Sequence, residues 1–126
     1  MAASRAGKLV RNDSGATAVE FAIVAPIFLA LLVGVFNSAL LVFTVASLNY
    51  AAEKAARCAS VNTTQCGDAT AISNYADSYY YGVGTAPVFT YAAAACGKSV
   101  TGTVTYDFNV VIYSKSISLA SSACFP

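Results

Sequence analysis

The chain has 126 residues, 57% of them apolar and 10% charged, with a net charge of +1 and a mean hydropathy of +0.62. It is too apolar for an ordinary soluble domain and too short for several membrane spans, which leaves a single anchored domain. No histidine is present, which removes imidazole catalysis and the commonest metal ligand; no basic cluster marks a folded nucleic-acid face.

The first residues are polar and basic, with Arg5, Lys8 and Arg11, and Asn12-Asp13-Ser14-Gly15 is a helix-start or turn cluster. From Phe21 to Ala52 no residue is charged. That run of about 32 residues makes about 48 Å of helix, against the roughly 20 residues a bilayer needs. It predicts a transmembrane helix with Phe21 to Thr44 as its lipid-buried part, bent near the Ala22 carbonyl by Pro26. Basic residues before the span and none close behind it predict an inner-membrane protein with a cytoplasmic N-terminus and a periplasmic remainder.

Past the span the helical pattern continues, with Ala51, Ala55, Cys58 and Ala59 on one face and Glu53 four residues before Arg57. Asn62 to Gln65 breaks it. Asp68 is a fitting cap for a second helix that buries Ile72, Tyr75, Ala76 and Tyr79 and ends at Gly82. A strand follows, in which Val100, Gly102, Val104, Tyr106, Phe108, Val110 and Ile112 alternate with polar residues. Its expected partners are Pro87 to Tyr91 and Ser116 to Leu119, the second reached through a turn at Tyr113 to Lys115. The fold class is therefore α+β: a long N-terminal transmembrane helix, then a small antiparallel sheet. The expected organisation is a leader over 1–15, a helix over 16–59 and a small outer domain over 60–126.

All four cysteines, Cys58, Cys66, Cys96 and Cys124, follow the span, which suits disulfides in an oxidising compartment. Cys58 closes the long helix and Cys66 follows a polar turn. Cys96 precedes the central strand and Cys124 ends the returning one, so an antiparallel hairpin brings these two together. The expected pairs are Cys58 with Cys66 and Cys96 with Cys124, with α-carbon separations near 5.5 to 6 Å.

Glu20 stands alone at the mouth of the apolar helix. A carboxylate at the centre of a membrane helix costs roughly 2.5 to 3.5 kcal/mol, so it calls for a partner. Gly15, four residues, then Glu20-Phe21 behind a short basic leader resembles the type IV prepilin pattern. The run "GATAVEFAIVAPIFLALLVG" is similar to the TadE-like pseudopilins of tight-adherence (Tad, or Flp) pili. The resemblance implies cleavage after Gly15 by a prepilin peptidase, with Ala16 as the new N-terminus and Glu20 fifth in the mature chain. It also implies a type IV pilin-like architecture, and as partners other pilin subunits, the Tad assembly platform and inner-membrane lipid, with no nucleic acid. Phe21, where Tad major pilins have tyrosine, and the outer domain favour a minor pilin or pseudopilin acting in pilus initiation, assembly or adherence, with final residence in the extracellular pilus. A free amine on Ala16, about one turn from Glu20, would supply the missing partner, within one chain or between neighbouring helices. Without it, Glu20 rests in the headgroup region, favoured by the helix dipole.

The competing reading is an uncleaved single-pass anchor carrying a periplasmic scaffold or binding domain. A secretory signal peptide fits less well, its apolar core being usually about 7 to 15 residues. "CGKS" at Cys96 to Ser99 lacks the phosphate-loop glycine, Ala92 standing in its place. Asn12-Asp13-Ser14 and Asn62-Thr63-Thr64 match glycosylation sequons, a pattern frequent by chance. Tyr79-Tyr80-Tyr81 reads as the core and rim of a small domain ahead of an adhesive surface. No nucleophile and base, cofactor motif or metal-spaced cysteine pair stands out, so a non-enzyme without cofactor or metal is expected.

Overall fold

In the computed structural model, residues 13–110 and 112–126 are described; the basic leader residues Arg5, Lys8 and Arg11 fall outside them, as does Val111. Helix α1 (Asp13–Val61) has 49 residues, about 74 Å at 1.5 Å per residue. It stays helical through Pro26. A shorter helix, α2 (Ala69–Ser78), and three strands, β1 (Val88–Ala94), β2 (Gly97–Val110) and β3 (Tyr113–Phe125), complete the fold. The strands form one antiparallel sheet in the order β1-β2-β3, so the α+β expectation holds.

The turn after α1 is built by its polar residues. Asn62 Oδ1 accepts the Gln65 N–H at 3.2 Å, and the Cys66 N–H donates to the Asn62 carbonyl at 2.9 Å. The Cys58–Cys66 disulfide, with α-carbons 5.9 Å apart, closes this turn. Asp68 then caps α2, accepting the Ala71 N–H at 2.7 Å, and Ile72 and Ala76 are buried with Tyr75 and Tyr79 half-buried. This helix stops at Tyr79, three residues before the expected Gly82, because the Tyr79 N–H turns back to the Ala76 carbonyl.

On β2 the alternation holds from Val100 to Tyr106, all four inward residues being buried. It then fades: Phe108 and Val110 are half-buried and Ile112 is exposed. The reversal between β2 and β3 also falls earlier than expected, since Val110 pairs with Tyr113. Both partner strands run longer than their apolar stretches, because polar rows such as Thr90, Thr101 and Ser122 continue the pairing on the solvent face. The second disulfide, Cys96–Cys124, has α-carbons 6.2 Å apart. Cys96 lies in the turn before Gly97, whose φ of 121° suits a residue without a side chain.

The core lies between α1 and the sheet. Leu48, Ala51, Ala52, Ala55, Ala56 and Ala59 of α1 meet Phe89, Val100 and Val104, with Ile72 and Ala76 of α2 at one end. Gly102 sits where Leu48 of α1 and Phe89 of β1 close over the central strand. A β-carbon there would stand 2.6 Å from the Phe89 ring and 2.8 Å from Leu48 Cδ1. Gly102→Val should therefore overpack the seam and cost about 1 to 3 kcal/mol, read as a lower melting temperature of the full chain in detergent. An unchanged melting temperature would show that the seam has slack.

Tyr80 is the other tight point. Its ring meets Phe89 edge-on, centroids 6.4 Å apart, and its hydroxyl is buried without a hydrogen-bond partner among the described residues. Burial raises its pKa above the ordinary tyrosine value, so its contribution is intact below the unfolded-state pKa, about 10, and is lost as pH climbs through the folded-state value. Tyr80→Phe removes an unpaired buried hydroxyl, so it should match or exceed the wild type in stability at neutral pH. It should also reduce the loss of stability in alkali, measured by denaturant titration at pH 7 and above pH 10.

Candidate functional site

The candidate site is the N-terminal half of α1. Its large apolar residues are exposed all around the helix, Phe21 at 74% and Phe28 at 57% among them. The most apolar 18-residue window of α1 reaches a mean hydropathy of 2.5 with none of it buried. A core helix of a soluble protein of that composition would be covered. The helix is thus a candidate membrane span by length, composition and exposure.

Gly15, Ala16, Glu20 and Phe21 all lie on this exposed part. Ala16 and Glu20 stand four residues apart in continuous helix, which places them on the same face about 6 Å apart. Gly15 is inside the helix and not in an extended segment before it. It belongs to the first turn, however, where backbone N–H groups have no partner within the helix, and nothing outside the local backbone lies within 4 Å of where its β-carbon would be. Among the described residues, none crowds this position. Glu20 is exposed, as a carboxylate awaiting a partner from another chain or a new terminus would be.

The C-terminal half of α1 behaves differently. Asn37, Leu41, Thr44, Leu48, Ala51, Ala55 and Cys58, alternating four and three residues apart, are buried or half-buried against the outer domain. Polar side chains clip that contact together. The Tyr106 hydroxyl donates to the Asn37 carbonyl at 3.1 Å, Thr44 Oγ1 accepts the Val83 N–H at 3.1 Å, and Ser47 Oγ accepts the Tyr81 N–H at 2.7 Å. Ser121 Oγ bonds to Asn49 Oδ1. Sequence reasoning placed Asn37 and Thr44 within the lipid-buried run; the signal that separates them is their polarity at the same helical spacing as the alanine stripe.

Of the tyrosine run, Tyr79 and Tyr80 are half-buried at the rim of the core, and Tyr81 is exposed. An open groove of about 530 Å³ runs between α1 and the end of β3, lined by Asn49, Tyr50, Glu53, Lys54, Arg57 and Phe125. It holds charged side chains and a Lys54–Tyr50 cation–π contact at 5.3 Å. No group of three or more metal-ligating side chains occurs among the described residues.

No curated protein and no solved structure matches the chain. The recognisable part is the helix, and the match ends one residue before Cys58, so the disulfide-bonded sheet lies outside it. Residues 15–57, the stretch of α1 that carries Gly15, Ala16, Glu20 and Phe21, match the TadE-like protein family.

Proposed function

We propose that the chain is a minor pilin or pseudopilin of a Tad (Flp) pilus, cut after Gly15 and acting in pilus initiation, assembly or adherence. The observation that carries this reading is a helix matching the TadE-like family in which Glu20, the carboxylate at the head of the charge-free run, stands one turn from Ala16 on an apolar surface that no described residue covers. In this reading residues 1–15 are a cytoplasmic leader, α1 crosses the inner membrane, and the residues after it fold in the periplasm, where two disulfides persist. Prepilin peptidase is the first partner; other pilin subunits, the assembly platform and membrane lipid follow.

Cleavage after Gly15 creates an α-amine on Ala16, with an ordinary pKa near 7.7 to 8.0, and hence cationic at neutral pH. Within the apolar bundle it and Glu20 offset each other's desolvation, whereas either alone is costly. The pairing does not accelerate insertion; it selects neighbours whose helix starts align.

Replacing Gly15 with leucine should leave the full-length precursor in the membrane, because the peptidase must open the first turn and admit the residue before the cut. N-terminal mass spectrometry reads the outcome. A Gly15→Leu chain that still begins at Ala16 would refute processing at this bond.

Glu20→Ala should be cut and inserted normally, with insertion if anything improved by removal of a charge worth about 2.5 to 3.5 kcal/mol at mid-membrane. It should co-purify with other pilins at least tenfold less, the equivalent of about 1.4 kcal/mol. Wild-type recovery of those partners would count against the pairing with Ala16.

A further inference from the structure

The end of the β2/β3 hairpin is amphipathic and points toward the membrane end of α1. Beyond Tyr106 the inward row continues with Phe108 opposite Lys115 and Val110 opposite Tyr113, while the outward row is Asp107 with Ser116 and Asn109 with Ser114. The inward row runs out of protein to cover it. Tyr106 is buried, Val110 half-buried, Tyr113 53% exposed and Ile112, in the turn, 96% exposed.

The direction of the hairpin follows from four contacts. Along β2, Gly102 lies against Leu48 whereas the Tyr106 hydroxyl reaches the Asn37 carbonyl. Along β3, Ser121 meets Asn49 and the Phe125 carbonyl meets Ser60. Both strands thus lie alongside α1 with their shared turn toward the helix N-terminus. From Ser121 to Tyr113 is about 27 Å of strand, equivalent to about 18 helical residues. Tyr113 therefore stands near the level of Leu31, about 24 Å along the axis from Gly15. A hydrocarbon core about 30 Å thick that begins at Gly15 ends about 20 residues on, near Val35. Because Asn37 to Thr44 are taken up by the outer domain, this replaces the expected Phe21 to Thr44 run, and the hairpin end lies just inside the outer boundary.

We propose that this end rests in the headgroup region of the outer leaflet, with Ile112 and the Val110–Tyr113 row toward the acyl chains and Lys115 at the lipid phosphates. The proposal rests on α1 spanning the membrane. Unpaired strand edges exclude deep insertion, since their backbone groups would lose water without gaining partners. A tyrosine and a lysine beside an apolar turn instead suit the interface, where a ring has one wet end and an ammonium snorkels to phosphate. A helix tilt of about 20°, ordinary for a single span, shifts that level by only a few ångströms.

The chain contains no tryptophan, so one introduced residue reports its surroundings without background. The full chain would be placed singly in nanodiscs whose phosphatidylglycerol-containing lipids carry bromines near the top of the acyl chains. Three variants are compared: Phe28→Trp in the span, Tyr113→Trp at the hairpin end and Thr103→Trp on the exposed outer face. Phe28→Trp and Tyr113→Trp should be blue-shifted and quenched about twofold or more, as interfacial and buried rings are, and Thr103→Trp should not. Ile112→Trp repeats the measurement in the turn should Tyr113→Trp perturb pairing. Quenching at Phe28→Trp without quenching at either hairpin position overturns the proposal and leaves the span intact. Blue-shifted hairpin emission without quenching also overturns it, assigning the end to a protein contact. Unquenched Phe28→Trp would instead remove the span beneath it.

Discussion

The seam between α1 and β2 holds the rest of the molecule in place. Seven helix positions from Asn37 to Cys58, alternating four and three residues apart, present one continuous face to the sheet. Alanine at four of the buried helix positions between Ala51 and Ala56 keeps that face flat, and Gly102 lets Leu48 and Phe89 meet over the central strand. Three strands with one apolar face would have little to close on by themselves. Here the helix supplies the second layer, so the outer residues fold onto it as one unit with it.

The same helix therefore serves two surroundings. Its C-terminal half is covered by protein on one face, and its N-terminal half by none of the described residues. The polar side chains near the boundary are compatible with both, because they are satisfied locally: Asn37 Nδ2 donates to the Val33 carbonyl, Ser38 Oγ to the Gly34 carbonyl and Thr44 Oγ1 to the Leu40 carbonyl, each within 2.8 to 2.9 Å. A hydroxyl that returns its proton to the helix leaves no orphan donor in lipid, and the asparagine amide has one of its two N–H groups satisfied in the same way. Asn37 also exposes its own carbonyl to Tyr106, which makes this turn of the helix the place where docking ends.

Much of this was legible in the sequence. The cysteine pairing followed from strand order, since an antiparallel hairpin returns its ends together whatever its exact register. Val100 to Tyr106 alternated because that stretch faces a helix on one side and water on the other. Of the docking stripe of α1, the part from Ala51 to Cys58 showed as one face, whereas the part from Asn37 to Leu48 was hidden, since apolar residues occupy every face of that run. The hairpin turn was placed too late because Tyr113-Ser114-Lys115 has turn-like polarity, whereas the reversal itself is flanked by Val110 and Tyr113 with Ile112 inside it. Turn residues are polar when turns face water. An apolar turn is the pattern expected when the turn faces lipid, which is where the inference about the hairpin end places it. At the candidate site the residues were legible but their conformation was not: Gly15 was expected to end the leader just ahead of a helix over 16–59, yet the helix begins ahead of it at Asp13.

The exposed half of α1 also bears on how specificity can arise in a pilus reading. Phe21, Ile27, Phe28, Leu31, Leu32 and Phe36 are exposed, and either acyl chains or neighbouring helices would cover them about equally well, because lipid tails are as apolar as leucine. Burial alone then gives little preference for assembly over the membrane. A discriminating interaction must be poor in lipid and good in the bundle. A carboxylate and a new amine at matching depth meet that condition, since each is destabilised alone in low dielectric and relieved only by the other. The charge-free length of the helix beyond Glu20 sharpens the effect, leaving no other site along the span at which the ammonium could be satisfied by a side chain.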